Sequence, residues 1–304
     1  MKLIYLLLLT YVNSFTNNVL LKRLTFNHNR IQTNNKLTLY SQDSDDEYNI
    51  DYNEINNFKC FGNTDFSNKD FHNKKLITIS PGGIQGFYML GVVKFLCNEY
   101  NINKNDSYIY SGASAGSWIS VVLSLKGDVN KFIEDILNLN FSKADSILQW
   151  ELIMRDYILN YYRITDFDFS KTFISVTRLS IFDDIRVFKL KNDIYSDFTS
   201  LLDVLECCIT SSHIPFVTGG LFNTYKNKFG YDGGFLSDPY IKNVTKILQI
   251  KPNMFDNTDV EYNKVNSIDV QGMLNKDDVN IKKLFKKGYD EAKQNKIYLD
   301  KIFL

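Results

Sequence analysis

The sequence predicts an α/β fold in three layers, α/β/α, with a mainly parallel central sheet. Short apolar, β-branched runs of strand length alternate along the chain with stretches of helical character. Two of the strand-to-helix turns are built on glycine and small residues. Such alternation gives a largely parallel sheet, because each crossover helix packs back on the sheet and both faces are covered. Functional groups then gather at the carboxyl ends of the strands.

The first strand is Leu76-Ile77-Thr78-Ile79-Ser80, followed at once by Pro81-Gly82-Gly83-Ile84-Gln85-Gly86. A helix comes next, with Phe87, Met89, Leu90, Val92, Val93, Phe95 and Leu96 as its apolar residues. A glycine-rich turn in this place leaves backbone N–H groups converging on one spot, and the helix N-terminus adds positive potential. The loop suits a phosphate or the oxyanion of an acyl-transfer intermediate. Phosphate is the weaker reading. No Lys-Ser/Thr follows the glycines, and Pro81 stands where a Gly-x-Gly-x-x-Gly loop would begin.

The second unit is Tyr110-Ser111-Gly112-Ala113-Ser114-Ala115-Gly116-Ser117-Trp118, a strand running through Gly-x-Ser-x-Gly into a helix. This arrangement presents a serine on a sharp elbow, and the flanking glycines keep a Cβ out of the fold-back. Helices are predicted over Ser117–Leu125, Lys131–Leu139, Ala144–Tyr162 and Leu201–Thr210. Strands are predicted at Thr172–Thr177 and Ile185–Leu190, as neighbours. Within 150–158, Trp150, Ile153, Met154 and Tyr157 suit either a core helix, the favoured reading, or an interfacial lid. Lys282, Lys283, Lys286 and Lys287 alternate with Ile281, Leu284, Phe285 and Tyr289 on a final helix. It is read as capping the sheet, with an anionic membrane surface as the alternative.

A serine nucleophile needs a base. The chain has three histidines: His28, His72 and His213. His28 and His72 precede the first core strand. His213 is formally available, with Asp183, Asp184 or Asp203 to orient it. The rival is Asp232, in Phe229-Gly230-Tyr231-Asp232-Gly233-Gly234-Phe235, which by itself also reads as an ordinary turn.

Taken in order, these motifs resemble the patatin-like phospholipases. Ile79–Gly86 resembles that family's oxyanion loop, Gly112-Ala113-Ser114-Ala115-Gly116 its nucleophile elbow, and Asp232-Gly233-Gly234 its Asp-Gly-Ala/Gly motif. Cys208–Phe216 and Leu284–Ala292 resemble two further segments, so the likeness covers roughly 74–295, nearest the branch with the neutral-lipid lipases. The resemblance implies a Ser114–Asp232 dyad, with Gly82, Gly83 and Gly86 in the oxyanion loop and no metal or cofactor. It implies a glycerolipid substrate (phospholipid, galactolipid or triacylglycerol) met at a membrane or lipid-droplet surface. Pro81 departs from a usual glycine and brings no N–H. Gln85 departs from a frequent Arg or Lys, which tilts the reading toward neutral lipids. A catalytically weak, lipid-binding or regulatory member is the alternative.

Composition is ordinary for a globular protein: 304 residues, 44% apolar, 35 basic against 35 acidic side chains. With no basic excess, nucleic acid is not an expected partner. Cys60, Cys97, Cys207 and Cys208 form neither a zinc pattern nor a disulfide framework. Residues 1–14 read as a signal peptide: Met1-Lys2, an apolar run from Leu3 to Val12, then small residues. Residues 15–73 read as a basic, transit-like segment followed by an acidic linker, a pattern compatible with secretion or with bipartite plastid targeting. The catalytic domain is expected over 74–304.

Overall fold

The computed structural model describes residues 66, 69–141, 144, 146–182, 187–221, 223–255 and 278–304. The signal-like segment 1–14 and the transit-like segment and linker as far as 65 lie outside these residues.

Seven strands form one sheet in the order β5-β6-β3-β2-β1-β7, with β4 added to β3. They are β1 Lys75–Ile79, β2 Tyr108–Gly112, β3 Thr172–Phe182, β4 Val187–Tyr195, β5 Asn223–Tyr225, β6 Lys228–Tyr231 and β7 Thr245–Ile250. The block β7-β1-β2-β3 is parallel. The β3–β4 and β5–β6 pairs, and the short contact of β3 with β6, are antiparallel. The helices are α1 Gly86–Tyr100, α2 Ala115–Leu123, α3 Val129–Asn138, α4 Ile147–Tyr161, α5 Leu201–Ser211, α6 Asp278–Gln294 and α7 Lys296–Phe303. They flank the sheet in the expected three-layer arrangement.

The central strands are buried along nearly their whole length, as strands covered on both faces must be. Ile77, Ile79, Tyr110, Ile174 and Val176 enter the main core with Val92, Val121, Val204 and Leu205 of the helices. The alternate residues Leu76, Ile109 and Phe173 pack with Ile241 and Val244. Phe66 and Phe71 join this second cluster, with ring centroids 5.4 and 5.9 Å from Phe173.

Several boundaries differ from the sequence reading. The helix expected from Ala144 starts at Ile147, because the Ser146 hydroxyl accepts the Gln149 N–H at 3.2 Å and caps it. Trp150, Ile153 and Ile158 of that helix are buried, which makes it a core element. The elbow helix begins at Ala115, directly after Ser114. Strands β3 and β4 run beyond the predicted spans and pair antiparallel from Ile174–Tyr195 to Phe182–Val187. The β5–β6 hairpin turns through Lys226 and Asn227, both at positive φ (53° and 59°). Positive φ at both turn residues matches the twist of the strands. Cys207 and Cys208 lie buried and unpaired in α5.

Helix α6 crosses α1 at very close range. A Cβ at Gly91 would run into the Phe285 carbonyl, and one at Gly288 into the Tyr88 carbonyl. The Tyr88 hydroxyl donates to Glu291 Oε2 at 2.6 Å across the same crossing. Ile281 and Ala292 are buried by it. The last long helix thus holds α1, the helix that opens from the glycine loop.

Candidate active site

Strand β2 delivers the elbow. Ala113 N–H donates to the Ile79 carbonyl at 3.2 Å, continuing the parallel ladder one residue past the strand. The chain then reverses at Ser114, with φ 53° and ψ −127°, a region that non-glycine residues seldom occupy and that costs about 1–3 kcal/mol. A side chain at Gly112 would strike the Gly116 carbonyl, and one at Gly116 the Ile79 carbonyl. The strained residue is tied on both sides. Its N–H donates to Ser211 Oγ at 2.9 Å, and that hydroxyl donates to the Ser175 carbonyl at 2.7 Å. Its carbonyl accepts the Ser117 hydroxyl at 2.6 Å.

Asp232 follows β6 and arrives from the other side. Its N–H donates to the His213 carbonyl at 2.8 Å, and the Gly233 N–H donates to the Ser211 carbonyl at 2.8 Å. The end of α5 therefore holds both the elbow and the aspartate loop. The Asp232 carboxyl accepts the Gly234 N–H at 2.8 Å, and the Ser114 side chain lies close enough to favour its charged form. Burial pushes its pKa up to about 6, against the pull of Ser114 and of the Gly234 N–H toward the charged form. Ser114 and Asp232 are 6% and 5% exposed.

The glycine loop borders both. Gly83 takes φ 52° and opens a single 3-10 turn, Gly83–Gln85. The Gln85 and Gly86 N–H groups close that turn onto carbonyls of Gly82, Gly83 and Ile84. The N–H groups of Gly82 and Gly83 have no acceptor among the described residues. Gly86 comes so close to the elbow helix that an added Cβ would lie 2.9 Å from the Ala115 Cβ. At the other end of the loop, the Pro81 ring fills the space where Gly234 would carry a side chain.

His213 is buried, and its ring meets other partners. Nδ1 lies 3.2 Å from Thr218 Oγ1, and the ring stacks on Tyr231 at 6.3 Å. Burial lowers its pKa. Its link to Asp232 is through the main chain. A groove of about 1610 Å³ lined by Lys75, Lys191, Lys242 and Thr245 opens elsewhere, at the starts of β1 and β7; neither Ser114 nor Asp232 lines it. Sequence reasoning noted Ser211 only within a resembling segment, and it passed over Glu151, a buried carboxyl beside Trp118.

An elbow at the end of a parallel strand, a glycine loop and an aspartate meet on one three-layer sheet. The family model of the patatin-like phospholipases matches residues 77–243, more than half of the chain, and the chain belongs to that family. No curated protein sequence matches the chain.

Proposed function

We propose that the protein hydrolyses fatty acyl esters of a glycerolipid through Ser114 and Asp232. The observation that carries this reading is that Ser114, set on a strained elbow, has its side chain beside the buried Asp232 carboxyl and favours its charged form. Asp232 takes the hydroxyl proton as Ser114 Oγ attacks the ester carbonyl. The N–H groups of Gly82 and Gly83 stabilise the oxyanion, each worth about 3 kcal/mol of barrier. The proton then passes to the leaving alcohol, and water, deprotonated by Asp232, releases the fatty acid. Gly86 serves the loop by fitting against Ala115, since its own N–H is used within the turn. In this reading, 74–304 is the catalytic domain, and it meets its lipid at a membrane or droplet surface as a peripheral protein. Among the described residues no helix is long and apolar enough to cross a membrane.

The near-complete burial of the pair favours a second reading, a weak enzyme that acts by binding lipid. One experiment separates the two. The full chain is assayed on mixed micelles of phospholipid, galactolipid or triacylglycerol beside Ser114→Ala and Asp232→Asn. Hydrolysis lost in both folded variants supports the dyad. A folded wild type that binds vesicles and releases no fatty acid leaves the binding role.

A further inference from the structure

Glu151 of α4 is the one acidic side chain, apart from Asp232, that lies buried beside the elbow helix without a cationic partner among the described residues. Its Oε1 accepts the Trp118 Nε1–H at 3.3 Å, so it is joined to α2, the helix that starts at the elbow. Its Oε2 is buried with no well-formed hydrogen bond. The Ser212 hydroxyl reaches the carboxyl and also donates to the Cys208 carbonyl at 3.1 Å. A carboxylate here has the Ser212 hydroxyl and one long indole contact to stabilise it, and no cation. A carboxylic acid keeps Trp118 on Oε1 and takes the charge off the buried, unpartnered Oε2.

The other groups around Glu151 do not offset a negative charge. From α2 comes Trp118, and from α5 come Cys208, Ser212 and Glu206. Arg155, on its own helix, is engaged by Asp156 at 2.8 Å and Glu206 at 3.3 Å. From the aspartate loop comes Asp232, itself an acid. Burial, reinforced by the charges of Asp232 and Glu206, pushes the Glu151 pKa up to about 8.

The geometry points to Glu151 as a positioning residue that must stay an uncharged acid for the Ser114–Asp232 pair to work, its ionisation setting the alkaline limit of activity. As an acid it joins α4 to the elbow helix through Trp118, beside the end of α5 that carries Ser211. As an anion it buries a charge on an oxygen with no partner and places a second negative charge near Asp232 and the developing oxyanion. The inference rests on the dyad reading of the site.

The test uses two readouts on the full chain. The first is the pH profile of ester hydrolysis from pH 5 to 10 for wild type and Glu151→Gln. Wild type is expected to fall at least tenfold between pH 7 and 9.5, and Glu151→Gln to keep the acid limb and lose this fall. The second is tryptophan emission in Trp150→Phe, where Trp118 is the only tryptophan left of two. A step centred near pH 8, absent when Glu151→Gln is added, is expected. A wild type that hydrolyses ester with no alkaline fall, a fall that survives Glu151→Gln, or a Trp118 emission flat from pH 6 to 10 overturns the inference alone. A wild type inactive at every pH overturns the esterase reading and this inference with it.

Discussion

Ser211 sits between the two halves of the candidate site: its hydroxyl takes the Ser114 N–H at 2.9 Å, while its carbonyl takes the Gly233 N–H at 2.8 Å. The strained elbow and the loop of Asp232 are therefore registered against the same residue. Ser211→Ala removes the first bond, orphans a buried N–H and frees the Ser175 carbonyl. A loss of about 1–3 kcal/mol in stability is expected. A displaced hydroxyl costs up to about 10²-fold in kcat. Thermal melts beside kcat would show both losses, and an unchanged kcat would mean that the elbow holds itself.

Pro81 and Gly234 fit ring against hydrogen. Gly234→Ala should push the glycine loop from the aspartate loop and lower kcat by tenfold or more. Pro81→Gly removes the obstacle, so the double variant Pro81→Gly/Gly234→Ala should recover most of that loss. Additive losses in the double-variant cycle would refute the contact as the cause.

The pH dependence of activity should have an acid limb near pH 6, where Asp232 becomes protonated and can no longer accept the serine proton. The same burial makes its charge a cost to folding. Its folded pKa lies above the ordinary aspartate value of 3.8, so the folded state binds that proton more tightly and the cost grows as pH rises from about 4 to 6. Asp232→Asn should therefore melt higher than wild type at pH 8, with the gain fading toward pH 4. A gain that is independent of pH would assign it to something other than this carboxyl.

His213→Gln should lower the melting temperature and leave kcat within a few-fold, because the ring bonds Thr218 and stacks on Tyr231 while only its carbonyl serves Asp232. Loss of nearly all activity in a folded His213→Gln would restore the histidine as base.

The parts of the site that are contiguous in sequence were legible in it. Gly112–Gly116 and Pro81–Gly86 each carry their geometry in a few adjacent residues, as do the strands that lead into them, whereas Asp232–Gly234 by itself reads as a turn and only the family resemblance singles it out. What escaped depends on contacts between distant segments. Ser211 looks like any helix-end serine until Ser114 is placed 97 residues away in sequence and within hydrogen-bonding distance. Glu151 lies on a helix whose apolar neighbours advertise core, and only the position of Trp118 gives it meaning. Pro81 reads as a lost donor, while in the fold it fills the space above Gly234. The β5–β6 hairpin was missed because its turn is Lys226-Asn227, without the glycine that usually marks one.

The crossing of α1 and α6 has a consequence for how the protein is made. Tyr88 and Glu291 meet across 203 residues of chain. Helix α1, made early, cannot take its final seat until Gly288 has left the ribosome. The elbow, the glycine loop and the aspartate will all have been synthesised while the helix behind them still lacks its partner. Competence should therefore come late in biogenesis, and a nascent chain stalled before residue 278 should show an exposed apolar surface to chaperones rather than a working serine.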